Sequence, residues 1–283
     1  MLTRQAVADA APPLLLCEPC GFQWIQDWRR SWMQLKCSCT ACLRGAGVIA
    51  SAMINKLRKP LHFLAPVLIV TASLFHSVPA GGAETKSKLE SEPEGWVDIL
   101  PPADLKGWYR VPVPPTGKLG REQWHVDAEK KVLICDGDGG HDMLLCDKEF
   151  GDAVFHFEFC YTKIEGKTGY NSGGYVRNSK DGAIWHQAQF GDGKDGYLFG
   201  ETPVADGKKK FFNLNKKVTD MRVKPAGEWN TFEVTAVGKV LTLWVNGAVT
   251  CQFEDCGQLK GFVGLEGEGY RIEFRNLKIK LLP

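Results

Sequence analysis

The sequence predicts an all-β protein, an antiparallel β-sandwich of jelly-roll type, and three observations support this prediction. Apolar residues alternate with polar ones in several segments, and Phe155, Phe157 and Phe159 place three rings on one face of a strand. Gly, Asp and Asn interrupt these segments at short intervals, and little of the chain shows helical periodicity. We therefore expect about eleven strands in a sandwich, with a closed barrel as the alternative.

The C-terminal part of the chain gives the clearest strand signals. Two alternating segments, residues 232–236 and 241–245, precede Asn246-Gly247, a pair typical of a hairpin turn because both residues accept positive φ. A last strand is predicted over residues 271–280. Helical structure is expected only in short turns, near residues 102–105 and 215–221. The residues predicted to face the core are Phe232, Val234, Ala236, Leu241, Leu243, Val245, Ile272, Phe274, Leu277 and Ile279.

Charge is distributed unevenly along the 283 residues. The first 83 residues hold 8 of the 35 Lys and Arg and 3 of the 33 Asp and Glu, which leaves 27 basic against 30 acidic residues in the remainder. This remainder, with a net charge of about −3, does not favour a track for nucleic-acid phosphates or a polybasic membrane surface. Neutral or acidic partners are expected, and nucleic acid is not.

The N-terminal part of the chain has the layout of an export signal. Basic residues after Met53 precede an apolar run over residues 61–75, and small residues suited to cleavage end near Ala83. We expect residues 53–83 to be a signal peptide and residues 1–52 to be upstream sequence from a start-site error. An uncleaved anchor is the competing interpretation, although the run is shorter than a bilayer span. After cleavage we expect a periplasmic or extracellular protein without a stable membrane span.

Residues 84–94 are charged and lack apolar periodicity, which predicts a disordered linker before one folded domain at residues 95–283. Cys135 with Cys146, and Cys251 with Cys256, could form disulfides in an oxidising compartment, but buried free thiols explain these residues equally well. The five cysteines before residue 52 fit no common zinc pattern. Residues 136–142 hold three aspartates, which suit either a calcium loop or a solvated hairpin turn.

Two neighbouring segments, residues 171–177 and 184–192, concentrate side chains that can bind a sugar. Amide, imidazole and guanidinium groups suit vicinal hydroxyls, and aromatic faces suit the apolar side of a pyranose ring. We predict this pair of strands to be the floor of a carbohydrate site. The predicted substrate-binding residues are Asn171, Tyr175, Arg177, Trp185, Gln187, Gln189 and Asp192.

An ordered set of motifs resembles a known family. In chain order they are Gly107-Trp108, Trp124-His125-Val126-Asp127, Asn171-Ser172-Gly173-Gly174-Tyr175-Val176-Arg177, Gly227-Glu228-Trp229-Asn230, Val245-Asn246-Gly247, Gly261-Phe262-Val263-Gly264-Leu265 and Phe274-Arg275-Asn276-Leu277. The set resembles the family DUF1080, the 3-keto-disaccharide hydrolases or 3-keto-glucoside lyase/hydratases, over residues 95–283. The resemblance implies a concanavalin A-like sandwich, as in lectins and glucanases, that acts on glycosides oxidised at C3. Such an enzyme abstracts the C2 proton, eliminates the C1 substituent and hydrates the product.

The chain departs from the family pattern at two places. Relatives usually have Glu-x-Gln-x-x-Asp where this chain begins with Gln187, and Gly-Leu-Gln-x-His-Gly where this chain has Glu266 and Glu268. In one interpretation Glu266 or Glu268 is the catalytic base, His186 is its partner, and Arg177 with Gln189 holds the substrate oxygen.

In the other interpretation the site has lost catalysis and the domain is a carbohydrate-binding module, because an amide cannot accept a proton at neutral pH. A purely structural surface module is a third class that the fold allows. We assign no metal ligands and no definite cofactor, and a requirement for a divalent cation stays open.

Overall fold

The computed structural model describes residues 84–283. The predictions of a start-site error, a signal peptide and an N-terminal cysteine cluster concern residues 1–83 and lie outside the described residues. Within residues 84–283, no helix combines the length and the apolarity needed to cross a membrane.

The described part of the chain forms fifteen strands and three short helical segments. The strands are β1 (Trp96–Asp98), β2 (Trp108–Pro112), β3 (Trp124–Asp127), β4 (Val132–Cys135), β5 (Asp142–Phe150), β6 (Ala153–Tyr161), β7 (Asn171–Asn178), β8 (Trp185–Gly191), β9 (Asp195–Pro203), β10 (Lys209–Asn213), β11 (Asn230–Val237), β12 (Val240–Val245), β13 (Ala248–Phe253), β14 (Gly261–Gly267) and β15 (Ile272–Leu281). The helix α1 spans Lys88–Ser91, and 3₁₀ turns span Ala205–Gly207 and Asn215–Lys217. The excess over eleven strands comes largely from short strands, in which alternation is too brief to be recognised in the sequence.

The strands form two antiparallel sheets, as predicted. The site sheet has seven strands in the order β10-β9-β8-β7-β14-β5-β2. The back sheet has the order β13-β12-β11-β6-β15-β4-β3, with β1 paired to β15. Strands that are neighbours in space, such as β14 and β7, are far apart in sequence, so the jelly-roll sandwich depends on long-range pairing.

The core between the sheets is built from the alternating residues that the sequence indicates. Phe155, Phe157 and Phe159 of β6 are fully buried, and the ring of Phe159 stacks on Phe190 of β8 with centroids 3.8 Å apart. Gly174 of β7 has no room for a side chain, because a Cβ there would lie 2.4 Å from Phe157. Burial of these rings supplies the main driving force that holds the two sheets face to face.

The turn predicted after β12 is confirmed, and the structure decides between the two alternatives for the cysteines. Asn246 and Gly247 have φ values of 40° and 109° and connect β12 to β13 as a two-residue turn. The five cysteines of the described residues are free thiols, and four of them are buried. Neither disulfide that the sequence suggested is present among the described residues. Cys135 and Cys146 lie on β4 and β5, in different sheets.

The predicted linker is not disordered. Ser87 and Glu90 form a capping box at the start of α1, and the backbone N–H groups of Lys88 and Leu89 donate to the Glu233 carboxylate at 2.7 and 3.0 Å. Free N–H groups at the start of a helix need acceptors, and Glu233 of the back sheet provides them. The prediction was wrong because the stabilising partner is a distant residue that local composition cannot reveal.

Arg177 was predicted to hold substrate, and the structure corrects this prediction. Its φ of 51° interrupts the alternation of β7, and its side chain is buried at one end of the sandwich. The guanidinium donates to the carbonyl oxygen of Gly238, to that of Gly151 at 3.4 Å, and to the Asp152 carboxylate at 2.8 Å. Arg177 therefore ties β7 of the site sheet to the connection between β5 and β6 and to the turn between β11 and β12 of the back sheet.

We expect Arg177→Met to lower the free energy of unfolding of the full chain by about 1–3 kcal/mol, because buried carbonyl oxygens lose their donor. Chemical denaturation measures this change, and Lys180→Met, at an exposed position nearby, is the matched control. A variant with unchanged stability but weakened sugar binding would restore the role in substrate binding.

Candidate functional site

The outer face of the site sheet carries a cluster of polar side chains. On β8, Ala188 and Phe190 point into the core, so Gln187 and Gln189 point to the opposite face. In the register of β7 and β8, Tyr175 lies directly opposite Gln187. Strand β14 follows β7 in the sheet and brings Glu266 to the same face. The sheet register thus assembles side chains that are up to about 90 residues apart in sequence.

Glu266 is the centre of this cluster. Its Oε1 accepts hydrogen bonds from the Tyr175 hydroxyl at 2.7 Å and from the His141 imidazole at 2.8 Å. Its Oε2 accepts one from the Gln187 amide at 2.5 Å. Only 5 % of the Glu266 side chain is exposed. A carboxylate buried to this degree needs such donors, and here they come from three different strand regions.

Gly173 lets Gln187 reach Glu266. The two residues lie on β8 and β14, with β7 between them, so the Gln187 side chain must cross a strand. A Cβ on Gly173 would lie 2.0 Å from the Gln187 Nε2 atom. The absence of a side chain at Gly173 therefore opens the path across β7 that the hydrogen bond to Glu266 requires.

A second carboxylate, Glu268, lies at the edge of the cluster. Its Oε2 accepts from the Asn171 amide at 2.5 Å and lies 3.8 Å from His141 Nε2. The Asn171 carbonyl in turn accepts a hydrogen bond from Gln189. Because Glu268 follows the end of β14 and its side chain is 35 % exposed, it can reach a bound ligand more readily than Glu266 can.

His141 completes the cluster and was missed by the sequence analysis. It lies in the turn before β5, where the Gln123 side chain accepts from Gly139 N–H at 2.9 Å and donates to the Gly140 carbonyl at 3.1 Å. Pairing of β5 with β14 then places the turn beside Glu266. Its place in the polar stretch 136–142 was the only sign in the sequence that His141 could belong to a site. The sequence does not show that its partner is Glu266, which is about 125 residues away.

The aspartates of this stretch are paired with arginines and other donors. Asp142 accepts from Gln123 and Trp124, each at 2.9 Å, and from Arg110 at 2.5 Å. Asp136 and Asp138 form ion pairs with Arg271 and Arg121, respectively. These partners neutralise the negative charge of the aspartates, which a calcium ion would need as ligands. The turn instead carries His141 to the cluster.

The pKa values of Glu268 and His141 are both shifted by their surroundings in the cluster. Burial raises the pKa of Glu268, and the nearby charge of Glu266 raises it further, while His141 and Asn171 oppose the increase. Burial lowers the pKa of His141, but its hydrogen bond to Glu266 and the charges of Glu266, Glu268 and Asp142 outweigh burial and leave that pKa raised. Burial also raises the pKa of the Tyr175 hydroxyl, so Tyr175 acts as a neutral donor.

The site also has a set of groups that could bind a cation. One ligand atom from each of His141, Glu266 and Glu268 lies within 4.8 Å of the others. Imidazole and carboxylate groups suit zinc and other transition-metal ions. A metal ion at this place would displace the hydrogen bond between His141 and Glu266.

The structure brings together six of the ten predicted site residues, places a seventh beside them and separates the other three. Those in the cluster are Glu266, Glu268, Asn171, Tyr175, Gln187 and Gln189. Trp185 lies on the same face and packs beside Tyr175 among apolar side chains. Asp192 accepts from the backbone N–H of Ala226 at 2.7 Å and thus holds a loop.

His186 and Arg177 are not part of the cluster. His186 is fully buried on the core side of β8, with its Nε2 3.6 Å from the Cys256 sulfur. Burial lowers its pKa to about 4, so His186 is neutral at pH 7. Side chains alternate along a strand, so His186 cannot share a face with Gln187 and Gln189. The predicted pairing of His186 with a catalytic glutamate was wrong, and His141 occupies that place.

Two of the positions at which the chain departs from the family pattern, Gln187 and Glu266, are in contact in the structure. Gln187 stands where the resemblance implies an acid, and Glu266 stands where it implies an amide. These two side chains are hydrogen-bonded to each other. These two positions therefore still hold one carboxylate and one amide. The carboxylate is on β14 and the amide is on β8, which is the reverse of what the resemblance implies.

A separate open groove of about 790 Å³ lies at the other end of β5 and β14. It is lined by Asp147, Lys148, Glu149, Phe150, Ser179, Lys180, Gln258, Lys260, Phe262 and Leu281. It contains none of the cluster residues. We therefore place the candidate site at the cluster and not at this groove, because the hydrogen-bonded carboxylates and the imidazole are at the cluster.

The solved structures that the chain matches include several proteins of low sequence identity. A candidate glycosyl hydrolase from Parabacteroides distasonis ATCC 8503 is 17% identical, with a TM-score of 0.48, and the match covers 71% of this chain and 100% of that chain. The carbohydrate binding module CBM66 from Bacillus subtilis is 15% identical, with a TM-score of 0.43 and coverage of 62% and 95%. Bacillus licheniformis beta-glucanase is 11% identical, with a TM-score of 0.38 and coverage of 63% and 94%. Identities this low say nothing of activity.

No curated protein matches the chain. The family model described as the 3-keto-alpha-glucoside-1,2-lyase-like domain matches residues 95–280, which confirms the resemblance drawn from the ordered motifs. The chain therefore belongs to the family of 3-keto-alpha-glucoside-1,2-lyase-like domains.

Proposed function

We propose that the protein cleaves glycosides that carry a ketone at C3, by elimination followed by hydration. Family membership supports the substrate class, and one structural observation carries the chemistry. Two carboxylates, an imidazole and amide side chains converge on one face of the site sheet, and Glu268 and His141 are its partly exposed members. Export to the periplasm or the cell exterior is part of the proposal and rests on the signal-like residues 53–83.

Glu268 is the general base of the proposed reaction. A ketone at C3 acidifies the C2 proton, and the raised pKa of Glu268 makes it a stronger base than an ordinary carboxylate. Removal of the proton leaves negative charge on the C3 oxygen. His141 stabilises the enolate in this proposal, because its raised pKa favours its charged form and its Nε2 lies 3.8 Å from the Glu268 carboxylate.

Elimination and hydration then complete the reaction. The enolate electrons form the C1–C2 double bond as the C1–O bond breaks, and the protonated Glu268 returns its proton to the leaving oxygen. Water adds to C1 of the unsaturated ketone and a proton returns to C2, so the net change is hydrolysis. Glu266 acts as a positioning residue, because its hydrogen bonds hold His141, Tyr175 and Gln187 in place.

A carbohydrate-binding module without catalysis is the second candidate function. Gln187 at the position of the implied acid favours it, and so does the saturation of Glu266 by three donors. The same amides that would position a substrate would then bind the hydroxyls of an unoxidised sugar. The two candidates differ in a single measurable property, the turnover of a 3-keto-glucoside.

We expect Glu268→Gln to lower kcat/KM for methyl 3-keto-glucoside by about 10²- to 10⁴-fold, because the proton acceptor is lost while the side chain keeps its shape. Glu149→Gln, an exposed position at the other end of β5, is the matched control and is expected to retain activity. Equal rates for the two variants would show that Glu268 is not the base. Absence of turnover in the parent protein, with sugar binding detected by calorimetry, would support the binding module.

The pH dependence of kcat/KM follows from the same two groups. Activity rises with pH as Glu268 loses its proton, above its ordinary pKa of 4.5 because that pKa is raised. Activity falls as His141 loses its proton, above its ordinary pKa of 6.5 for the same reason. We therefore expect a bell-shaped profile, and in His141→Asn the alkaline limb should disappear. An alkaline limb that persists in this variant would assign it to another group.

A further inference from the structure

The half-buried side chain of Asp195 lies at the start of β9. Its φ of 77° is in the left-handed region that few residues other than glycine adopt. The register of β8 and β9 shifts between Gln189 and Phe190, so Asp195 lies opposite Phe190 at an irregularity of the ladder. Such bulges change the direction of a side chain and are frequent next to active sites. The backbone at this point therefore sets the direction of the Asp195 carboxylate.

The Asp195 carboxylate lies on the same face of the site sheet as the cluster. Phe190 points into the core, so Gly191 faces outward, and a Cβ on Gly191 would lie 2.6 Å from the Asp195 Oδ2 atom. Gly191 is paired with Asn171, whose amide donates to Glu268. Facing Cβ positions of paired strands are about 4.5–5.5 Å apart. Asn171 therefore lies between the carboxylates of Asp195 and Glu268.

The surroundings of Asp195 leave it available for proton transfer. Within residues 84–283 it has no hydrogen-bonding or ion-pair partner, and burial raises its pKa while the charge of Lys194 opposes the increase. Burial also raises the pKa of Tyr161, and the charges of Glu266, Asp195 and Glu268 add to that increase. The charges of all three carboxylates thus act on one buried hydroxyl group, which indicates that they surround the same part of the sheet.

We propose that Asp195 is a second catalytic residue, the general acid that protonates the leaving oxygen on C1. This inference rests on the proposed function and changes one step of it, because Glu268 then exchanges a proton with C2 alone. Glu268 takes the C2 proton, the enolate electrons form the C1–C2 double bond, and the departing oxygen takes the proton of Asp195 as the C1–O bond breaks. In hydration, the charged Asp195 takes a proton from the water that bonds to C1, and Glu268 returns its proton to C2. Both carboxyl groups then have their starting forms.

Two substrates that differ in their leaving group test this assignment. Methyl 3-keto-glucoside releases methanol, whose oxygen needs a proton as the bond breaks, whereas 4-nitrophenyl 3-keto-glucoside releases a phenolate that needs none. The measurement is the rate of leaving-group release in a single turnover by the full chain. We expect Asp195→Asn to lower this rate about 10²-fold for the methyl substrate and less than about 3-fold for the nitrophenyl substrate. Glu268→Gln should lower both rates, because both substrates lose the same C2 proton.

The controls separate a loss of the proton donor from a loss of structure. Asn tolerates the left-handed conformation, and nitrophenolate release by Asp195→Asn shows that the variant is folded. Asp206→Asn is the matched control, because Asp206 is exposed in the turn after β9 and also has a positive φ, of 65°. Equal losses with both substrates, or no loss with the methyl substrate, would overturn the role of Asp195 and leave the proposed function supported. No release from either substrate by the parent protein would overturn the proposed function and the role of Asp195 with it.

Discussion

The buried carboxylate of Glu266 is the constraint on which the candidate site depends. A charge that is almost fully removed from water is stable only with well-placed donors, and Tyr175, Gln187 and His141 provide them. These donors come from β7, from β8 and from the turn before β5. The register of the site sheet is therefore a chemical requirement as well as a packing one, because a one-residue slip would turn the donors to the other face.

The site combines a rigid interior with an accessible edge. Glu266 and Tyr175 are buried and fixed, whereas Glu268 and His141 are partly exposed and have raised pKa values. The buried residues Glu266 and Tyr175 hold the other side chains in position, and the partly exposed residues Glu268 and His141 can exchange protons with a ligand. The exchange of acid and amide between Gln187 and Glu266 leaves one carboxylate and one amide in contact, although the chain departs from the family pattern at both positions.

Much of the fold, and about half of the site, could be predicted from the sequence. The alternation of apolar and polar residues predicted the core strands, and Phe155, Phe157 and Phe159 are buried as this local pattern indicates. Alternation also separates His186 from Gln187, a signal that the choice of His186 overlooked. Arg177 and His141 could not be placed in this way. The positive φ of Arg177 breaks the pattern, and the position of His141 depends on the long-range pairing of β5 with β14.

The most direct test of the central claim is a double-mutant cycle on the pair that joins β8 to β14. Gln187→Glu alone places two carboxylates in contact and should strongly destabilise the protein at pH 7, whereas Gln187→Glu combined with Glu266→Gln restores one acid and one amide. Chemical denaturation of the four proteins should give an interaction energy of about 2 kcal/mol in favour of the double exchange. Additive effects of the two substitutions would contradict the account, because they would show that the buried carboxylate does not depend on this partner.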